Sequence, residues 1–326
     1  MSELRFNPLL RDWTMVAANR QGRPQMPKDY CPFCPGSGKV PDHYVVHTYA
    51  NDFPALSHDS GKPSDVATGV YQSAEAYGQC EVILYSPEHT TTLPELPEAH
   101  IRQLVDLWSE RFKALEEDSK HKYILIFENR GEEVGVTMPH PHGQIYAYSY
   151  IPQKLRTELE SCREHYSQTN RCLLCDIEQT EQQFQQRMIT ENDSFTAFIP
   201  FFTDYPYGAF IVSKNHKTAI TDFSDKEKDD LAAILKETTG AMDELFQKPF
   251  PYMMVVHQRP VNEQSVDDYY HFHIEFYPPL RDANRIKYLA SSETGAWAPC
   301  NPTAVEDTAQ QLRDAHARYM ERLGSR

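Results

Sequence analysis

The chain has 326 residues, enough for one large domain or two of roughly 150 each, and its 24% charged residues with 19 Tyr and 16 Phe exclude a disordered or fibrous chain. Lys and Arg number 32 against 47 Asp and Glu, so a net charge of -15 excludes a broad surface for nucleic acid or an anionic membrane. No stretch reaches membrane-spanning length and residues 1–13, with Glu3, Arg5 and Arg11, hold no signal-peptide core, which makes the cytoplasm the expected location.

The predicted elements, taken in chain order, run twice through one series. Cys31-Pro-Phe-Cys34 comes first, then Asn51-Asp52, then a turn at Ser86-Pro-Glu-His89. Ile101, Leu104, Val105, Trp108, Phe112 and Leu115 follow at helical spacing and mark one buried face. A strand over residues 123–127 leads through a glycine-containing loop to a histidine-rich strand, His140-Pro-His142-Gly-Gln144. Residues 151–170 form a link, helical over 155–165. The series then recurs as Cys172-Leu-Leu-Cys175, Asn192-Asp193, Ser213-Lys-Asn-His216, a helix carrying Leu231, Ile234, Leu235, Met242 and Leu245, a strand over 252–256, and His271-Phe-His273-Ile-Glu275. The two Cys pairs and the two Asn-Asp pairs share one offset. Chance produces single matches of this kind, but not an ordered set with helices in equivalent places. The expected fold is α+β: two similar halves, 1–152 and 153–326, each an antiparallel sheet with packed helices, related by a pseudo-twofold.

Cys31 and Cys34 have the spacing of a zinc knuckle, and His89 and His140 are the natural remaining ligands of a Cys2His2 site. A reduced pair or a redox Cys-x-x-Cys is the rival reading. The second half repeats the whole donor set as Cys172, Cys175, His216 and His271, which a redox pair does not explain. Two structural zinc ions are therefore expected. Cys80, Cys162 and Cys300 have no visible partners and read as ordinary thiols.

His140 and His142 lie two apart on a predicted strand and so share a face, one serving zinc and the other left for chemistry. Pro141 places the segment at a strand start or a sheet edge. Imidazole is a good nucleophile near neutral pH and, once bonded to phosphorus, a reactive leaving group. Upstream, Phe127-Glu-Asn-Arg-Gly-Glu-Glu-Val-Gly-Val-Thr137 offers Asn129, Arg130, Thr137 and backbone N–H groups around Gly131 and Gly135 as donors to phosphate oxygens.

At this point the chain closely resembles the galactose-1-phosphate uridylyltransferases, the transferase branch of the histidine-triad superfamily. The resemblance runs through Asn7-Pro-Leu, Arg20, Arg23, the first Cys pair, Asn51-Asp52-Phe53, Ser86-Pro-Glu-His89, Phe127-Glu-Asn129, His140-Pro-His-Gly-Gln144 and Phe276-Tyr-Pro-Pro279. It implies that His142 carries UMP and that Gln144 holds the transferred phosphoryl group; hydrolytic relatives have histidine where Gln144 stands. It implies ping-pong exchange, in which UDP-glucose uridylylates His142 and releases glucose 1-phosphate, and galactose 1-phosphate then takes UMP to give UDP-galactose. Uridine and phosphate contacts fall on Arg20, Arg23, Asn51, Asp52, Asn129 and Thr137, the last standing where the family usually has serine. Sugar contacts fall on Lys287, Tyr288, Ser292 and Glu293, supplied by the partner subunit of a homodimer.

Some members of that family bind a further zinc or iron ion on one glutamate and three histidines. Here Glu158, His257 and His273 match, but the last position is Glu275, so a carboxylate-rich ion site and a pair of merely solvated or hydrogen-bonded acids both remain open. Trp297-Ala-Pro-Cys300 stands where a sugar-binding glutamine is expected. Two other functions compete: a nucleotidyl transferase or phosphorylase of the same superfamily acting on ADP-sugars or dinucleotides, against which Gln144 speaks, and a zinc-stabilised nucleotide-binding module without catalysis.

Overall fold

The computed structural model describes residues 2–22 and 30–325. An N-terminal hairpin, β1 (Ser2–Asn7) and β2 (Asp12–Ala17), precedes β3 (His47–Ala50), β4 (Ser73–Glu75) and β5 (Gly78–Leu84). Helix α1 (Glu98–Glu116) is followed by β6 (Tyr123–Arg130) and β7 (His142–Tyr148), and the linking helix α2 (Gln153–Thr169) by α3 (Leu173–Phe184). The second series then brings β8 (Met188–Glu191), β9 (Phe195–Phe198), β10 (Phe210–Ser213), α4 (Asp225–Phe246), β11 (Tyr252–His257) and β12 (His273–Tyr277). A small hairpin of β13 (Leu280–Asp282) and β14 (Arg285–Ile286), a short α5 (Ser291–Ala296) and α6 (Val305–Gly324) complete the described chain.

Nine strands form one antiparallel sheet in the order β3-β5-β7-β6-β11-β12-β10-β9-β8. Read outward from the middle, β6, β7, β5 and β3 answer β11, β12, β10 and β9, as a pseudo-twofold between β6 and β11 requires. The sheets of the two halves are thus joined edge to edge, with Tyr252 opposite Arg130 and Met254 opposite Glu128. This pairing removes the inner edge that each half would otherwise expose.

The alternation along β5, β6 and β7 sends Ile83, Ile124, Ile126, Ile145 and Ala147 to one face, where they are buried against Ile101, Leu104, Val105, Trp108 and Phe112 of α1 and Leu231, Ile234 and Leu235 of α4. Helix α4 begins at Ser224, whose hydroxyl accepts from the Glu227 N–H while the Glu227 carboxylate accepts from the Ser224 N–H at 2.8 Å, a reciprocal cap. The opposite face of the sheet carries His142, Gln144 and Tyr146 together with their register partners Leu84, Val82 and Cys80. That face is where the site is built. Among the described residues no helix is long and apolar enough to cross a membrane.

Arg130, expected from the sequence as a phosphate donor, has another task. Its guanidinium donates two hydrogen bonds of 2.8 Å to the Asp243 carboxylate and lies over the Tyr252 ring, tying the end of β6 to α4. Asp243 also accepts from the Phe250 N–H at 2.8 Å. Asp243→Ala leaves a mostly buried guanidinium without its counter-ion and should lower unfolding free energy by about 3 kcal/mol in chemical denaturation.

Candidate active site and metal centres

Strand β7 begins at His142, with Pro141 immediately before it. The strand lies between β5 and β6, so of the two places that proline allows, the structure takes the strand start and not the edge. Pairing already begins at Pro141, whose carbonyl accepts from the Tyr85 N–H at 3.0 Å. Gly143 points to the helix-covered face, where a Cβ would meet the Tyr85 hydroxyl at 2.4 Å and the Phe127 carbonyl oxygen at 3.0 Å. Tyr85 is fully buried and cannot swing aside, which explains the glycine between His142 and Gln144.

His140 is buried and its Nε2 donates to the Ser86 carbonyl at 2.8 Å, which leaves the lone pair on Nδ1. That atom lies 3.8 Å from Cys31 Sγ and 3.6 Å from Cys34 Sγ, and His89 Nδ1 lies 3.3 Å from Cys34 Sγ. Burial pushes His140 down to about 4, so the ring is neutral, as a ligand must be, across the physiological range. The Tyr44 hydroxyl lies 3.3 Å from His140 Nε2 and 2.8 Å from the Phe33 carbonyl, bracing the knuckle loop against the strand. Sequence reading missed Tyr44 because a tyrosine in a loop carries no spacing signal.

The second half repeats this arrangement. His271 Nε2 donates to the Ser213 carbonyl at 2.8 Å, its Nδ1 lies 3.6 Å from Cys172 Sγ and 3.3 Å from Cys175 Sγ, and His216 Nδ1 lies 3.4 Å from Cys175 Sγ. Ser86 and Ser213, present in the repeated Ser-x-x-His, thus supply the carbonyls that orient the two buried ligands. In both groups all four donor atoms lie within 4.8 Å of one another, as one tetrahedral ion demands.

His142 belongs to neither group. Its Nδ1 lies 2.8 Å from the His140 carbonyl, which can only accept, so Nδ1 bears the proton and Nε2 the lone pair. The Phe33 ring packs edge-on to it at 5.7 Å between centroids. Thr137, Asn129 and His142 line one cavity of about 440 Å3 together with the loop at Gly131 and residues 249–251. Gly131 and Gly135 hold positive φ of 99° and 81°, so the loop needs glycine there to bend over this cavity. Gln144 lies two residues along the His142 face of β7, and Arg20 reaches that face by donating to the Tyr146 hydroxyl at 3.2 Å. Asp52 accepts from the Tyr49 hydroxyl at 2.8 Å, Tyr49 packs on Phe33, and Asn51 caps its own turn by accepting from the Phe53 N–H at 2.9 Å. Arg23 lies outside the described residues.

The expected sugar-binding segment is elsewhere. Lys287, Tyr288 and Glu293 line a separate cavity of about 500 Å3 with Arg281, Asn284 and Arg285, and it shares no lining residue with that of His142. Tyr288 is 75% exposed, and Ser292 is exposed as well. Within one chain these residues do not meet His142.

Glu158, His257, His273 and Glu275 do come together, within 4.8 Å by their donor atoms. His257 Nδ1 lies 2.9 Å from Glu158, His273 Nε2 3.3 Å from Glu275, and the Tyr270 hydroxyl donates to Glu158 at 2.6 Å. Neither glutamate is merely solvated. Burial works against both charges, yet the two imidazoles hold both carboxylates below the ordinary glutamate range, aided at Glu275 by the Lys154 ammonium at 2.8 Å. Lys154, which sequence reading passed over, compensates part of the charge that a metal ion would otherwise meet.

This geometry has counterparts. Residues 1–152 match the family model described as galactose-1-phosphate uridyl transferase, N-terminal domain, and residues 158–293 match the model of its C-terminal domain. A protein of Thermotoga maritima called galactose-1-phosphate uridylyltransferase is 40% identical over 315 residues, covering 96% of this chain and 98% of that one. The chain belongs to the galactose-1-phosphate uridylyltransferase family. It is accordingly an enzyme, a nucleotidyltransferase. A Haemophilus influenzae relative with the same name is 32% identical over 338 residues, covering 98% of this chain and 96% of the relative. A solved structure described as that of uridylyltransferase superposes with a TM-score of 0.89 at 31% identity, over 97% of this chain and 99% of the other.

Glu128, between Phe127 and Asn129, is a buried member of the same motif with a distinct electrostatic signature. Burial raises it from an ordinary 4.5 to about 7, while Arg130 and the hydroxyls of Tyr252 and Tyr85 pull the other way. The folded protein therefore keeps a proton that the unfolded chain releases from about pH 4.5 upward. The stability this contributes is complete below the unfolded value and is lost as pH rises toward 7. Glu128→Gln, which cannot titrate, should flatten the fall of the thermal midpoint between about pH 5 and 7, measured by calorimetry.

Proposed function

We propose that the chain transfers UMP between hexose 1-phosphates through a bond from phosphorus to His142 Nε2. UDP-glucose is the first substrate: the lone pair on Nε2 attacks the α-phosphorus, the bond to the bridging oxygen breaks, and glucose 1-phosphate leaves with the electron pair. Galactose 1-phosphate then attacks the same phosphorus, the nitrogen–phosphorus bond breaks, and UDP-galactose departs with His142 restored. The observation that carries this reading is the 2.8 Å contact of Nδ1 with the His140 carbonyl, which leaves the lone pair on Nε2 of a residue lining the same cavity as Asn129 and Thr137.

Each supporting group has a task that follows from its donor chemistry. Gln144 offers an amide N–H to a non-bridging oxygen without the capacity to activate water, as fits transfer rather than hydrolysis. The Thr137 hydroxyl and the backbone N–H groups of the Gly131 loop spread charge on the phosphate, and Arg20, Arg23, Asn51, Asp52 and Asn129 hold the uridine and ribose. The carbonyl that accepts from His142 also steadies the imidazolium formed on attack.

Zinc suits the two thiolate-imidazole groups, where it ties knuckle, turn and strand together without touching the substrate. The group at Glu158, His257, His273 and Glu275 suits zinc or iron, held less tightly because Lys154 is already at the carboxylate. The separate position of Lys287, Tyr288, Ser292 and Glu293 supports a homodimer in which each subunit lends this segment to the other's hexose. The two units 1–152 and 153–326, one carrying the nucleophile and one the sugar segment, would then act in trans. The substrates are small and anionic, and a cytoplasmic enzyme of this charge needs neither nucleic acid nor membrane.

Ping-pong transfer predicts that labelled glucose 1-phosphate exchanges into UDP-glucose with no galactose 1-phosphate present. His142→Asn should abolish that exchange, by at least about 10,000-fold, while still binding UDP-glucose. Exchange that requires galactose 1-phosphate, or that runs on ADP-glucose and not UDP-glucose, would exclude the proposal.

A further inference from the structure

A fourth convergence of metal-binding side chains lies away from every group described above. His58, from the segment after β3, meets Asp118 and His121, from the turn between α1 and β6, with their donor atoms within 4.8 Å of one another. His58 Nε2 is 3.6 Å from Asp118 Oδ2, and His121 Nε2 is 3.7 Å from the same oxygen.

His121 is fully buried. Its Nδ1 lies 2.8 Å from the Leu115 carbonyl, which can only accept, so the proton sits on Nδ1 and the lone pair on Nε2. Nε2 finds no hydrogen-bond partner among the described residues. What it faces is a second acceptor. The Tyr77 hydroxyl, donating to Asp118 Oδ2 at 2.6 Å, holds that carboxyl below its ordinary value. The Lys120 ammonium lies over the Tyr77 ring, 4.4 Å from its centroid, while the Lys120 backbone N–H donates to Asp118 Oδ1 at 2.9 Å.

A buried imidazole nitrogen that carries a lone pair 3.7 Å from a carboxylate oxygen is too far for a hydrogen bond, and the two acceptors repel each other with nothing between them. A cation between them removes the conflict. Tetrahedral coordination with bonds of about 2.0–2.2 Å sets neighbouring donor atoms roughly 3.3–3.6 Å apart, close to the separations found here. The ring is also prepared as His140 and His271 are prepared, with its other nitrogen donating to a backbone carbonyl.

We propose that His58, Asp118 and His121 form a binding site for a divalent transition-metal ion. Two imidazoles and one carboxylate without a thiolate favour an ion of the zinc type over calcium or magnesium. His58, whose side chain is 48% exposed, provides the entry path and leaves a coordination position open to solvent. His121 precedes the first residue of β6 and Asn129 lies near its last, which places this site roughly 25 Å from the nucleophile end of the strand. Its role is to tie the segment after β3 to the turn that launches β6.

The test is the zinc content per chain, by native mass spectrometry, of the full-length protein and of His58→Ala and Asp118→Asn, each saturated with zinc acetate and desalted. The first substitution changes a half-exposed side chain and the second is isosteric, so both proteins fold, which an unchanged transfer rate verifies. Each should hold one zinc ion fewer than the parent, with the reactivity of Cys31, Cys34, Cys172 and Cys175 toward a thiol reagent unchanged. If either variant keeps the parental zinc count, the proposal is overturned and the three residues only pack against one another.

Discussion

The hydrogen bond from His142 Nδ1 to the His140 carbonyl is the contact on which the rest of the active-site half turns. It selects one tautomer, leaves the lone pair on Nε2, and ties the proposed nucleophile to a residue that is itself immobilised. His140 is fixed by the Ser86 carbonyl on one ring nitrogen and by the thiol pair on the other. A metal at that group would therefore act on the chemistry through one residue of backbone, without entering it. Gly143 completes the arrangement, because the buried Tyr85 hydroxyl leaves no room for a side chain behind the face that carries His142 and Gln144.

The duplicated half shows what this local geometry does not suffice to do. His273 Nδ1 lies 3.0 Å from the His271 carbonyl, the same contact in the same register. Yet Nε2 there faces Glu158 and Glu275 at 3.5 and 3.3 Å. The two carboxylates repel an anionic phosphate and hold His273 above the ordinary imidazole value against the effect of burial, and the rings of Phe210, His257 and Tyr270 pack around it. One duplicated framework thus supports the proposed transfer site in one half and a cluster of carboxylates and imidazoles in the other. The difference lies chiefly in Gln144 against Glu275.

Much of this was legible in the sequence because the donors come in fixed spacings. Cys-x-x-Cys, Ser-x-x-His and His-x-His each fix a local geometry, so both four-residue groups could be named before any fold was known. The helical periodicities of α1 and α4 and the strands β6 and β11 followed from apolar spacing. What escaped depends on pairing between distant segments. The β6–β11 seam that joins the halves has no local signature, Arg130 looked like a ligand donor until Asp243 from α4 met it, and Lys154 reaches Glu275 only through tertiary packing. His58 and His121, far apart in the chain and outside any repeat, belong to the same class.

The claim that one imidazole forms a bond to phosphorus is tested most directly by mass spectrometry of the protein after brief mixing with UDP-glucose and proteolysis at neutral pH. The account predicts an acid-labile UMP on the peptide that contains His142 and on no other, discharged by galactose 1-phosphate. A UMP on the His273 peptide instead, or steady-state transfer with the His142 peptide never modified, would contradict it.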